Sequence, residues 1–188
     1  MERSFEAVLV EQCATTLAGV KPASLFRYQG ADKRQPREAA ACWAKELAPY
    51  GITVRVLKYC PQTGACLIYL YRAGWLRSIL SEPSTRAFLA GQGYGADQSC
   101  QELLRQLSRR LCLEREFPHE IGVFLGYPLE DVVGFIRNRG RNYTCCGYWK
   151  AYGDPEAARK RFDQYRRCTA ACCEQFRQGA AITQLIAA

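Results

Sequence analysis

Ile52-Thr53-Val54-Arg55-Val56-Leu57-Lys58-Tyr59, then Cys60-Pro61-Gln62-Thr63-Gly64, then Ala65-Cys66-Leu67-Ile68-Tyr69-Leu70-Tyr71 is the stretch that decides the fold class. β-Branched and aromatic residues fill both outer runs, and the residues between them have the length and turn chemistry of a hairpin loop. In the first run Ile52, Val54 and Val56 alternate with Thr53, Arg55 and Leu57, which predicts a strand with one face more buried than the other. Nearly every residue of the second run is apolar or aromatic, so that run is expected at the centre of the sheet.

Helices are predicted on either side of this hairpin. Phe5, Val8, Leu9 and Cys13 recur at helical spacing, and Gly19 lies just past Leu17 where such a helix stops. A short strand, Ala23 to Tyr28, leads to a second helix that ends at Ala48, before Pro49-Tyr50-Gly51. Downstream, Asp97 to Cys112 carries Cys100, Leu103, Leu104, Leu107 and Leu111 as one stripe, which makes Cys100 a core residue of an amphipathic helix. Pro128 heads a short helix to Asn138, Tyr148 to Tyr152 has strand composition, and Asp154-Pro155 opens a long last helix. The expected fold is therefore α/β, a small mixed sheet of about four strands with helices packed around it. With 188 residues and no linker or repeat, the chain reads as a single domain over 1–188, its C-terminal helical segment at about 154–187 packed on the rest.

A content of 48% hydrophobic and 23% charged residues excludes a disordered chain. Acidic residues near the N-terminus, where a secretory signal is basic and then apolar, together with apolar runs too short to span a bilayer, predict a cytoplasmic protein with no membrane partner. Eleven cysteines are then expected to be mostly reduced thiols, since an odd count in that compartment does not build a disulfide framework. The net charge of +8 is concentrated toward the end: ten basic residues face four acidic ones between Arg137 and Gln178.

Three segments together resemble an uncharacterised bacterial family, domain of unknown function 3793. They are Cys13 to Phe26, His119 to Ile136, and Gly147-Tyr148-Trp149-Lys150-Ala151-Tyr152. The similarity runs nearly end to end, and the central stretch His119-Glu120-Ile121-Gly122-Val123-Phe124-Leu125-Gly126-Tyr127-Pro128 is its most specific part. The resemblance implies no activity, cofactor or catalytic residue. Where the family pattern has a His-Cys pair this chain has Gln12-Cys13, which counts against any scheme requiring a histidine there.

Chemistry is sought first around His119, the only histidine, and its neighbour Glu120. A cysteine nucleophile requires a base to raise its thiolate fraction, so Cys13, His119 and Glu120 are the candidate catalytic set. The alternative for His119 is a turn histidine bonded to backbone. No second histidine follows four residues later, which removes metalloprotease chemistry. Glycines here fit no phosphate-loop spacing, and Glu130 with Asp131 places negative charge in the first turn of the following helix. A pocket for a flat organic ligand is the further expectation, with Gly122, Gly126, Tyr127 and Asp131 as its contacts. No metal is expected; Cys145, Cys146, Cys168 and Cys172 are the weak candidates for one, their structural alternative being buried thiols. Cys60 and Cys66 flank the hairpin loop as a possible redox pair, or as inert thiols.

Two functions follow, and whether the protein is an enzyme stays open between them. The leading one is a small-molecule or thiol-dependent site around His119 to Pro128. The other is a non-catalytic module whose basic C-terminal quarter, with Tyr143, Tyr148, Trp149 and Tyr152 interleaved, docks nucleic acid or an acidic protein. No residue pattern names a cofactor or an oligomeric state.

Overall fold

A computed structural model describes residues 3–114 and 116–187. Its backbone contacts gather into two compact units, one of Met1–Trp75 with Arg167–Ala188 and one of Leu76–Arg166.

The first unit is built on the hairpin. Strand β1 (Ala23–Tyr28), β2 (Ile52–Tyr59) and β3 (Cys66–Arg72) form one sheet in the order β1-β3-β2. The doubly apolar run is the central strand, as its composition requires. Cys66, Ile68 and Leu70 point into a core shared with Phe26, Val54 and the helices, while Tyr69 and Tyr71 stack at 4.9 Å on the opposite face, also sealed. Both pairings of β3 are antiparallel, and the register of β2 shifts between Val56 and Lys58. That irregularity buries Leu57 and leaves Lys58 exposed. The sheet is thus three-stranded and antiparallel, where a mixed sheet of about four strands was expected. The missing strand is the 148–152 segment, of which only Lys150–Ala151 pairs, and it does so with Cys145–Cys146 rather than with the sheet. Beyond Ala151 the ladder stops, and the Tyr152 N–H donates to Asp131 Oδ1.

Helix α1 (Phe5–Leu17) packs on β1, and α2 (Gln35–Leu47) packs on β2. Ser4 caps α1, its Oγ accepting from the Ala7 N–H at 3.1 Å. At the other end Arg72 donates from Nε to Thr16 O (2.9 Å) and from Nη2 to Leu17 O (2.7 Å), which places a cation where the helix dipole is negative, on carbonyls that also accept from the backbone N–H of Gly19 and of Ala187. The same core closes with Cys172, Ile182 and Leu185 from the C-terminal segment.

The second unit is helical: α3 (Ala73–Ser81) enters it, followed by α4 (Pro83–Gly91), α5 (Cys100–Leu113), a single turn α6 (Ile121–Phe124) and α7 (Leu129–Asn138). Strands β4 (Cys145–Cys146) and β5 (Lys150–Ala151) make a small hairpin before α8 (Pro155–Arg177), whose first half belongs here. Ser99 and Glu102 form a reciprocal capping box on α5. Leu103, Leu104, Leu107 and Leu111 of α5 are buried as the stripe predicts; Cys100, at the first position of the helix, is only half-buried. Asp154 accepts from the Glu156 N–H at 2.8 Å and starts α8 with Pro155 as its first residue.

Because Ile68 has no exposed surface in the central strand, Ile68→Ala should cost about 2–5 kcal/mol of unfolding free energy. Urea denaturation followed by circular dichroism measures it, and a loss under about 1 kcal/mol would contradict this burial.

Candidate functional site

The segment around His119 folds as a tight turn into α6. Ile121 N–H donates to Pro118 O (3.2 Å), Gly122 N–H to His119 O (3.3 Å) and Val123 N–H to Glu120 O (3.0 Å). In such a turn adjacent side chains diverge, and His119 and Glu120 do so. Glu120 is 2% exposed, accepts from the Tyr94 hydroxyl at 2.9 Å and pairs with Arg110 Nη1 at 2.7 Å. Arg110 also donates to Gln92 O (2.9 Å) and lies 5.3 Å from the centre of the Tyr94 ring. Burial, and then the neighbouring carboxylate, push the Tyr94 hydroxyl well above the usual tyrosine range, so it stays a proton donor. Glu120 is therefore consumed by an internal lock that ties the 118–121 turn to α5.

His119 goes the other way. Its ring is exposed, lies 4.8 Å from Phe135 and 6.3 Å from Phe117, and is engaged by no hydrogen bond among the described residues. It borders a concavity of about 390 Å³, within the range of small-molecule sites. Phe117, Phe135, Tyr127, Tyr148 and Trp149 line it together with Ile121, Leu125 and Val132, and Lys150 and Cys146 belong to the same lining.

Asp131, in the first turn of α7, holds this wall in place. It is 4% exposed; one carboxylate oxygen accepts from Trp149 Nε1 (2.7 Å), the other from the backbone N–H of Tyr152 (2.6 Å) and of Gly153 (3.0 Å). The short hairpin is thereby fastened to α7, with the indole turned inward. Trp149 then stacks on Tyr127 (4.8 Å, 23° between planes) and meets Phe162 edge-on at 4.6 Å. Two glycines permit the approach. A Cβ at Gly134 would lie 2.4 Å from Tyr152 Cγ, and one at Gly122 would lie 2.8 Å from Val132 Cγ2. Tyr127 is pushed up to about 12 by burial, with nearby Tyr165 adding to it, so its hydroxyl is protonated at neutral pH and directed at Tyr148 O (3.4 Å).

The sequence-derived site residues thus separate. His119, Gly122, Tyr127 and Asp131 meet at the concavity, although Asp131 serves the wall and has its acceptor sites occupied by protein. Gly126 lines a different, smaller hollow with Pro128 and Arg161. Cys13 belongs to the first unit and has no exposed surface; burial raises its thiol to about 12, outweighing the opposing effects of Lys21 and Ser24. A thiol that stays protonated and out of reach of solvent is a core residue, not a nucleophile. Cys168 and Cys172 also fall in the first unit, Cys168 Sγ lying 3.8 Å from Ala14 O, whereas Cys145 and Cys146 fall in the second. Among the described residues no group of three or more His, Cys, Asp or Glu is placed to hold a metal. Among the described residues no cysteine is in a disulfide, and Cys60 and Cys66 have separate contacts, with Gln62 Oε1 and Gly64 O.

The aromatic cluster of Phe124, Tyr127 and Phe135 is readable from the sequence as a pocket wall or as core, whereas Lys150 and Cys146 read only as part of the basic quarter and as a weak metal candidate. Lys150 and Trp149 do lie in the last segment of the family resemblance, and Trp149 has an N–H that a buried site must satisfy. On the basic C-terminal quarter, Arg159, Lys160, Arg161, Arg166 and Arg167 are exposed, but Trp149 is buried in the cavity wall and offers no free face for base stacking.

These features define a mixed α/β protein with an aromatic-walled concavity in its helical unit. The chain belongs to the family described as protein of unknown function (DUF3793), whose model matches residues 9–186. Searches of curated proteins and of solved structures found no match. No helix among the described residues is long and apolar enough to cross a membrane.

Asp131→Ala should cost roughly 3 kcal/mol, because it strands the buried indole N–H and two part-buried backbone donors. It should also shift Trp emission to longer wavelength as the indole of Trp149 gains water; unchanged emission together with unchanged urea stability would refute the clasp. Separately, iodoacetamide near neutral pH should modify Cys146 in the folded protein and spare Cys13 until denaturant is added. Peptide mass mapping reads both sites, and early labelling of Cys13 would contradict its burial.

Proposed function

We propose that the concavity of the second unit binds a flat, largely apolar organic molecule, with His119 as the polar contact at its mouth. The observation that carries this is the wall itself. Five aromatic side chains, the aliphatic Ile121, Leu125 and Val132, and one unengaged imidazole border about 390 Å³ that is open to solvent. Aromatic faces favour a planar guest by offset stacking, and an imidazole offers both a donor and an acceptor at its edge.

Binding is better supported than catalysis by His119 with Glu120, since that carboxylate is bonded to Tyr94 and Arg110. The thiol-dependent form of the reading rests on Cys146, which is exposed and borders the same space as His119.

The test is titration with N-phenyl-1-naphthylamine, a neutral planar dye whose emission rises in apolar surroundings. Saturable one-site binding is expected, weakened roughly tenfold by Phe135→Ala, about the value of one lost aromatic contact. Bound dye should also protect Cys146, but not the exposed Cys42 of the first unit, from iodoacetamide. Absence of saturable binding, or binding indifferent to Phe135→Ala in a variant of unchanged circular dichroism, would remove the proposal.

A further inference from the structure

Beside the aromatic concavity lies a second hollow of about 630 Å³ in the same unit. Cys146, Gly147 and Tyr148 line both, so the β4–β5 turn is a partition with one space on each side. Phe162 lines the second hollow, and its ring meets that of Trp149 in the first wall at 4.6 Å and 79° between planes. The two spaces differ in chemistry. The first is walled mainly by aromatic rings, whereas the second presents Arg159 and Arg166 of α8.

Arg159 and Arg166 are seven residues apart, two turns along one helical face and roughly 10 Å along its axis, with Phe162 between them. Asp163 is the one carboxylate of the second hollow, and Arg166 is paired with it. Arg159 has no ion pair among the described residues. Two guanidinium groups against one carboxylate leave an excess positive charge facing that space, and a guanidinium fork suits the planar oxygens of a carboxylate, sulfonate or phosphate.

We infer that the two hollows form one site, for a planar aromatic molecule carrying an anionic group: the ring lies among Phe135, Tyr127 and Trp149, and the anion reaches past the exposed Cys146 and Tyr148, which border both hollows, to Arg159 and Arg166. This rests on the proposed ring site and specifies its ligand class. Gly147 itself is closed off by Phe162, since a Cβ there would lie 2.3 Å from Phe162 Cδ2.

The experiment compares two dyes on the full chain, neutral N-phenyl-1-naphthylamine and 1-anilinonaphthalene-8-sulfonate, which share the arylamine and differ by a sulfonate. The sulfonate dye should bind roughly tenfold more tightly, and the double variant Arg159→Gln, Arg166→Gln should abolish that advantage while leaving the neutral dye unchanged. Added salt should weaken the sulfonate dye only. Arg137→Gln, an exposed arginine outside both hollows, serves as the control for net charge and should alter neither. Equal affinities for the two dyes, or a sulfonate advantage that survives the double variant or falls equally with Arg137→Gln, overturn the anionic extension while the ring site stands. Failure of the neutral dye to bind at all overturns the ring site instead.

Discussion

The carboxylate of Asp131 is the constraint on which the candidate site depends. A buried carboxylate is costly unless its lone pairs are used, and here three N–H donors converge on it from a single short hairpin. Satisfying that charge fixes where the hairpin lies against α7 and which way the indole of Trp149 faces. The aromatic wall follows, because Tyr127 and Phe162 pack on a ring whose orientation is already set. Glycines at 122 and 134 are a condition of the same arrangement, since any side chain there would occupy the space that Val132 and Tyr152 fill.

A second buried carboxylate does comparable work on the opposite side of the 118–121 turn. Glu120 is joined to Arg110 and Tyr94, with the arginine further held by a backbone carbonyl. Both carboxylates are thus bound up in protein contacts, which leaves His119 exposed and unengaged between two fastened segments. On the proposed reading, fastened segments on either side of an unengaged imidazole leave less ordering for a binding event to accomplish.

The cysteines illustrate how one residue type divides by environment. Cys13, Cys66 and Cys172 act as small apolar side chains in the core around the three-stranded sheet. Burial there raises the Cys13 thiol and lowers the Lys21 ammonium to about 8, each group being held toward its neutral form. Cys146, in a two-residue strand beside a glycine, is exposed at the rim of the concavity and belongs to a different chemical setting.

Much of the architecture was legible in residue order. The alternation in β2, the apolar run of β3 as central strand, the leucine stripe of α5 and the Asp154-Pro155 start of α8 are local patterns, and local patterns are set by strand and helix periods within a few residues. The region of the candidate site was legible too, because glycine and aromatic residues cluster at 117–128. What residue order did not contain was the partner of each polar group. The pairing of Cys13 with His119 joined two segments without any means of judging burial, and the adjacency of His119 and Glu120 concealed that a turn sends them to different surroundings. Which donors reach Asp131, which arginine claims Glu120 and which thiol is left at a surface depend on approaches between residues tens of positions apart. The sequence by itself determined the class of fold and the neighbourhood of the site; only the tertiary structure decided the roles within it, because desolvation and hydrogen-bond satisfaction are properties of the packed chain.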